Sequence, residues 1–318
     1  MDKSLIKMIF RRIIQSMIVI WLVTLIVFLL IKMIPGDPIK NFLGSEATEE
    51  QIQYYTKLYG YDKPVLIQYF NWFFGLFQGK MGFSIFYQSE ISAIILPRLA
   101  VTLNIILFAF VLAVVVGVTL GTIAALNRGK AIDSIITLFA NIGVSMPTFW
   151  FGILLIYVFA LHLKWLPTSQ YVRMSDDMLG WFKHIIMPVI VVAGGPMATF
   201  TRQTRSSVLE VARQEYVSTA KSKGIKRIQI IMKHQLRNAL IPIVTVMGSR
   251  LGGMLGSTVL VESVFVIPGL GSQMITAIRN RDFMSVANGV MLIAAFVALC
   301  NLVVDILYGI IDPRIRNK

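Results

Sequence analysis

Residues 208–242 read VLEVARQEYVSTAKSKGIKRIQIIMKHQLRNALIP, and this stretch governs the reading of the whole chain. Leu209, Ala212, Tyr216 and Ala220 recur at helical spacing, Gly224 interrupts, and Ile225, Ile228, Met232 and Leu236 resume the same period. Lys221 and Lys223 fall in the last turn of the first helix, where cations suit the negative end of the helix dipole. Gly224 has no Cβ to oppose a left-handed conformation, so it predicts a sharp turn back of the chain. The pattern predicts a basic, amphipathic helix–turn–helix between two apolar runs. A solvated, positively charged loop between membrane spans would carry much the same residues, and the stretch alone does not separate the two.

Outward from that loop, composition identifies the solvent. Of 318 residues, 56% are hydrophobic and 14% charged, with a mean hydropathy of +0.72. Soluble domains carry about 25% charged residues, so the chain is read as an integral membrane protein. The formal net charge of +14 could suggest nucleic acid, but the basic residues gather at Lys3, Lys7, Arg11 and Arg12 and across 202–237. Those positions flank membrane spans, where cytoplasmic loops accumulate Lys and Arg, and no nucleic-acid partner is expected. Cys300, the single cysteine, lies in an apolar run and reads as a small core residue.

Six spans are expected, at 13–31, 99–126, 135–163 with Pro147 inside it, 185–200, 240–261 and 286–311. The first follows a basic flank but lacks a small-residue cleavage site, so it reads as a retained helix rather than a signal peptide. A polar excursion at 35–98 carries Glu46, Glu49, Glu50 and Asp62 and the aromatic string Tyr69, Phe70, Trp72, Phe73, Phe74 and Phe77, suited to the headgroup zone. A soft boundary near Pro97 divides residues 1–97, the first helix and its outer loop, from 98–318, a five-helix core containing the loop 202–240. Six crossings place both termini, the 127–133 turn and the basic loop on one side, and the Lys/Arg excess makes that side cytoplasmic.

Two spans carry small residues at close-packing intervals. In the second, Ala113, Gly117, Gly121 and Ala125 are spaced by four and favour packing within the bundle. In the fifth, Gly248, Gly252 and Gly256 are flanked by Ser249, Gly253 and Ser257, a face broad enough for a cavity wall or a subunit contact. Arg250 sits mid-span, where facing lipid would cost about 2.5–3.5 kcal/mol. It therefore faces a cavity or a carboxylate, either an acid such as Glu262 on its own helix, an acid on a partner, or an anionic group on cargo. Arg250, Gly252, Gly253 and Ser257 are the candidate translocation path.

Catalytic and metal-binding patterns are missing. Gly129-Lys130 is followed by Ala131, so no phosphate loop is present. His162, His184 and His234 lie in separate segments without metal-ligand spacing, and the first two sit beside tryptophans as interfacial anchors. No buried series of acids suggests a proton relay, no inverted repeat suggests a secondary transporter, and no filter loop suggests a channel.

Several motifs, taken in order, resemble one family. They are Pro35-Gly36-Asp37-Pro38, Leu99-Ala100-Val101-Thr102-Leu103, Gly143-Val144-Ser145-Met146-Pro147-Thr148-Phe149-Trp150, Leu166-Pro167-Thr168-Ser169, Arg202-Gln203-Thr204-Arg205-Ser206-Ser207, Val261-Glu262-Ser263-Val264-Phe265, Pro268-Gly269-Leu270-Gly271 and Asp312-Pro313-Arg314. With Ala220-x3-Gly224 and His234-x-Leu236, the chain resembles the permease subunits of dipeptide, oligopeptide and nickel-type ATP-binding-cassette (ABC) importers, specifically the first of the two paired permeases. The loop departs from the general importer pattern, with Ser218-Thr219-Ala220 where other classes begin Glu-Ala-Ala and His234-Gln235-Leu236-Arg237 where they end Ile-x-Leu-Pro. Peptide-type members resemble this chain at those places.

The resemblance implies an all-α, six-helix type I ABC importer permease fold with a cytoplasmic coupling helix–turn–helix. It implies that Glu215, Thr219, Ala220, Lys221, Gly224, Ile225, His234, Leu236 and Arg237 form an ATPase-coupling loop. The implied partners are a second homologous permease, one or two cytoplasmic ATP-binding subunits and an extracytoplasmic substrate-binding protein, in the cytoplasmic membrane of a bacterium or archaeon. ATP and Mg would be held by the ATPase partners, with no cofactor on this chain, which is not itself an enzyme. Peptides are the implied cargo, nickel or a metal chelate the alternative within the family, and a secondary transporter the alternative outside it.

Overall fold

A computed structural model describes residues 3–33, 36, 38–44 and 46–311, with the side chains of 3–7, 38, 41, 221, 227, 234, 241 and 307–311 outside that description. Pro35 and Asp37 of the opening motif and all of Asp312-Pro313-Arg314 lie outside the described residues. The elements run α1 (Lys3–Met33), α2 (Pro38–Leu43), α3 (Glu49–Leu58), α4 (Val65–Leu76), β1 (Phe83–Ser84), β2 (Ser89–Glu90), α5 (Ile91–Leu126), α6 (Ala131–Ser145), α7 (Thr148–Leu155), α8 (Met178–Val211), α9 (Glu215–Ser222), α10 (Arg227–Gln229), α11 (Arg237–Val264), α12 (Leu270–Arg279) and α13 (Phe283–Ile311). Two wider π-helical turns, Ile156–His162 and Ile230–Leu236, continue α7 and lead into α11.

Among the described residues, five helices are long and apolar enough to cross a membrane, or six if the bent pair α6 and α7 is one span. That pair occupies the span expected at 135–163, divided at Pro147. Between its arms, Ala131–Ser145 and Thr148–His162, the chain bends by 110°. Pro147 cannot donate a backbone hydrogen bond, and its ring pushes the preceding residue out of the α region; Met146 accordingly has φ −78° and ψ 125°. Each arm is about 22 Å long at 1.5 Å per residue, short of the roughly 30 Å hydrocarbon core.

The chain forms two compact units, each assembled from separate stretches. One comprises the amino-terminal residues up to Ile6, Leu103–Ile267 and the stretch from Cys300, the other Lys7–Thr102 with Pro268–Leu299. Pro97, the soft boundary read from the sequence, lies inside α5.

In the first unit α8 is the central mast, packed against α6, α7 and α11. Its apolar window is 56% buried, against 28% in α5 and in α11, which places it inside the bundle and them at its edge. The second-span ladder is used here. A Cβ on Gly117 would lie 2.8 Å from Phe200 Cβ and 2.9 Å from the Met197 carbonyl, and one on Gly121 2.5 Å from the Thr201 carbonyl. Only glycine lets the two backbones come this close.

In the second unit, a capping box starts α3: Thr48 Oγ1 accepts from Gln51 N–H while the Gln51 side chain accepts from Thr48 N–H. The hairpin of β1 and β2 is pinned by Asp282, whose carboxylate accepts from Ser84 Oγ at 2.5 Å and Ser285 Oγ at 2.6 Å. The aromatic string splits into two sets. Tyr69 and Trp72 of α4 are buried with Phe28 and Ala287, whereas Phe70, Phe74 and Phe77 are exposed. A helical period sends every third or fourth ring to one side, so the string divides between a packed face and an outward one.

Candidate coupling foot and translocation face

The basic stretch folds into a compact foot, with its first arm shorter than its period suggests. Helix α8 does not end with the span but continues to Val211, so the Arg202–Ser207 motif is helical rather than the start of a loop, and Leu209 lies on α8. At residues 212–214 the bonds tighten, Arg213 N–H to Glu210 O and Gln214 N–H to Val211 O, and the chain restarts as α9. The Gly224 turn is as expected, with φ +74°. Ile225 N–H reaches back to the Ala220 carbonyl at 3.3 Å, the six-to-one bond of a Schellman cap. The hydrophobic contact that accompanies such a cap is also present: Val217, Ala220 and Ile230 form a buried cluster, with Ile225 and Val211 packed on it.

A second cluster, Ala125, Val208 and Ala239 with Leu209, Val211 and Leu236, seats the foot on the ends of α5, α8 and α11. Asn238 donates to the Tyr216 hydroxyl at 2.8 Å, tying the two arms together. Between the clusters lies a cavity of about 410 Å³, into which Ala212, Ile225, Ile231 and Gln235 project. Gln235 Oε1 is buried there without a hydrogen-bond partner.

Of the residues expected in the coupling loop, Ala220 and Ile225 meet in the foot, Leu236 is half-buried at its base, and Glu215, Thr219, Gly224 and Arg237 are exposed. The side chains of Lys221 and His234 lie outside the described residues. The second arm turns a different face inward from the one its period suggested. Ile230 and Ile231 are buried, while Ile228 (63% exposed) and Met232 (56%) point outward, four residues apart. Tyr216 of the first arm is exposed as well, as are Lys226 and Lys233.

One ion pair at this end of the bundle was not anticipated. Arg205 of α8 grips Asp133 of α6 with two bonds, Nε to Oδ1 at 2.6 Å and a second guanidinium nitrogen to Oδ2 at 2.9 Å. Gly129 N–H also donates to Oδ2 at 3.1 Å, so the 127–130 turn is bound to the mast that carries the foot. Asp133 is the only acidic residue between Glu90 and Asp176, which is the signal that could have marked it.

On α11 the small residues divide. Gly248 is packed tightly against Val304 of α13, whereas Gly253 and Gly256 have nothing within 4 Å of where a Cβ would sit. Arg250 and Gly253 are exposed, Gly252 and Ser257 half-buried, and Ser257 Oγ donates to the Met254 carbonyl at 2.9 Å. The same-helix ion pair considered for Arg250 does not form. Glu262 is fully buried and twelve residues further along, about 18 Å at helical rise, beyond the combined reach of the two side chains. At the α6–α7 elbow, Asn141, Ser145, Phe149 and Trp150 line an open groove of about 630 Å³. The polar pair Asn141 and Ser145, exposed one turn apart on an apolar helix, was not singled out from the sequence.

A polytopic helical bundle whose central mast ends in a capped basic foot is the architecture of a transporter's membrane-spanning subunit. The chain belongs to the family of binding-protein-dependent transport system inner membrane components: that family matches residues 117–317, and the family described as its N-terminal region matches residues 5–106. It is 35% identical to a probable peptide ABC transporter permease protein of Sinorhizobium fredii, over 97% of this chain and 98% of that one. It is 38% identical to a di/tripeptide transport system permease protein of Pseudomonas aeruginosa (93% and 94%) and 36% identical to a dipeptide transport system permease protein of Escherichia coli (93% and 94%). Its fold is shared with a chain of the MetNI methionine ABC transporter captured in inward facing conformations, at a TM-score of 0.55 and 16% identity, over 69% of this chain and 96% of that one. The chain is therefore an all-α inner-membrane permease subunit with the type I ABC importer fold.

Proposed function

We propose that this permease imports peptides, and that residues 215–237 transmit the work of ATP hydrolysis by separate subunits. The capped foot carries the proposal. A coupling element must transmit displacement without absorbing it, and the Schellman turn with its buried Val217–Ala220–Ile230 cluster makes a rigid end on a long helix. Glu215, Thr219, Lys221, His234 and Arg237 would lie at the contact with the ATPase, while Ala220, Gly224, Ile225 and Leu236 hold its shape. Exposed Ile228 and Met232 extend the contact with apolar area.

The subunit would pair with a second, homologous permease and receive cargo from an extracytoplasmic binding protein. Arg250, Gly252, Gly253 and Ser257 would face the shared path. Both termini and the foot would lie in the cytoplasm, where the Lys/Arg excess is favoured. ATP and Mg would reside on the partner subunits and no cofactor on this chain. Peptide cargo is supported by near full-length relatives named for peptide and dipeptide transport.

The test is to purify the permease with its copurifying subunits, reconstitute it in vesicles with the binding protein, and follow uptake of a labelled dipeptide and of nickel. Dipeptide accumulation that needs ATP on the foot side is the expected result. Nickel accumulation without dipeptide uptake would overturn the cargo, and uptake independent of ATP would overturn the coupling.

A further inference from the structure

Helix α4 is short, twelve residues of VLIQYFNWFFGL, and carries the aromatic string that the sequence suits to the headgroup zone. Its packing places it elsewhere. The Tyr69 hydroxyl is 3.0 Å from Thr24 Oγ1 and donates to the Trp21 carbonyl at 3.3 Å, and Phe28 packs on both Tyr69 and Trp72. These partners lie three to ten residues before Ile31, where the apolar run of α1 ends, about 5–15 Å down the helix. Half of the hydrocarbon core is about 15 Å. Helix α4 is thus sunk beside a span, below the headgroups.

Its polar groups agree with that depth. Tyr69 is satisfied by α1, and Trp72 Nε1 donates to Asn288 Oδ1 at 3.4 Å, so neither needs water. Gln68, near the start of α4, accepts from Lys32 Nζ at 2.7 Å, which marks the interface level. The face turned away from the protein is hydrocarbon: Leu66, Ile67, Phe70, Phe74 and Phe77, with Phe77 72% exposed.

Beside this face opens a cavity of about 660 Å³, whose wall includes Phe70, Phe74, Asn71 and the lysines Lys57, Lys63 and Lys80. Among the described residues no acid lines it. Cations and aromatic rings lining one cavity match an amphiphile. We propose that a phospholipid with an anionic headgroup occupies this cavity, its phosphate among the three lysines and its acyl chains along Phe70, Phe74 and Phe77. The leaflet is the one at the carboxyl end of α1, the outer leaflet under the orientation proposed above; the site itself does not depend on that orientation.

The test uses the full-length chain in vesicles of phosphatidylcholine, with or without phosphatidylglycerol. A nitroxide placed through Phe74→Cys in a Cys300→Ser background should relax with oxygen and not with a water-soluble nickel chelate. In native mass spectrometry the parent should retain phosphatidylglycerol in preference to phosphatidylcholine. The triple variant Lys57→Gln, Lys63→Gln, Lys80→Gln should lose that preference by on the order of fivefold per lysine. A nickel-accessible nitroxide would overturn the depth of α4. Equal retention of both lipids by the parent, an unchanged preference in the triple variant, or displacement of the lipid by inorganic phosphate would overturn the site. All four test positions are exposed, so the substitutions leave the core intact.

Discussion

Helices α5 and α11 both carry small residues at intervals of four, and the bundle uses them in different ways. In α5 the ladder is consumed: Gly117 and Gly121 lie directly against the backbone of α8, and Ala113 and Ala125 are buried. In α11 Gly248 is packed against the Val304 side chain, while Gly253 and Gly256 border open space among the described residues. A small-residue ladder therefore reports that a backbone can be approached closely, not what approaches it. Where α8 fills the approach, the ladder is a structural joint. Where no described residue fills it, and Arg250 stands on the same exposed stretch, the ladder is the face proposed above for the path.

The sharpest way to break this contrast is Gly121→Leu. The atoms nearest its Cβ include the Thr201 carbonyl at 2.5 Å and the Arg205 nitrogen at 3.1 Å, backbone that cannot yield unless α8 moves. We expect a loss of about 3 kcal/mol or more, seen as a chain that no longer purifies as a single species in detergent. Parent-like thermal unfolding would show that α5 and α8 are not apposed.

Gly224→Val tests a glycine needed for conformation rather than for space, since no described atom beyond its chain neighbours lies within 4 Å of where a Cβ would sit and its φ is +74°. A β-branched residue there is strained by about 1–2 kcal/mol. The chain should still insert and bind its copurifying subunits, with ATP-driven uptake abolished. Gly224→Asn, which tolerates the left-handed region, should keep most uptake; full uptake by the valine variant would rule out the rigid foot.

On the open ladder, Gly253→Leu should do the opposite of Gly121→Leu. Stability should change by no more than about 0.5 kcal/mol, while dipeptide uptake drops roughly tenfold, the equivalent of ~1.4 kcal/mol. Normal uptake would mean that this face meets only lipid.

The smallest effect belongs to Arg250→Met. With the Glu262 pair excluded by distance, we expect unchanged assembly and uptake lower by about threefold to tenfold, as for loss of one charge-assisted contact. The deficit should be greatest for cargo with a free carboxylate. Failed assembly, restored by neutralising an acid on the second permease, would instead place Arg250 at the subunit contact.

The membrane setting, the apolar runs and the Gly224 turn were all legible in the residues, because partition into lipid, helical period and a left-handed backbone are local properties of the chain. The family resemblance was legible for the same reason, as motifs in order. The span expected at 135–163 with Pro147 inside it is bent there: proline predicts a break, but a bend of 110° depends on the surfaces each arm finds. The Arg202–Ser207 motif became part of α8 because neighbouring helices extended the mast past the end of its apolar run. The pairing of Asp133 with Arg205, the inward turn of Ile230 and Ile231 in place of Ile228 and Met232, and the burial of Tyr69 and Trp72 beside α1 share one cause. Each requires a partner distant in sequence, and the pattern of a single segment shows that a side chain can be buried without showing against what.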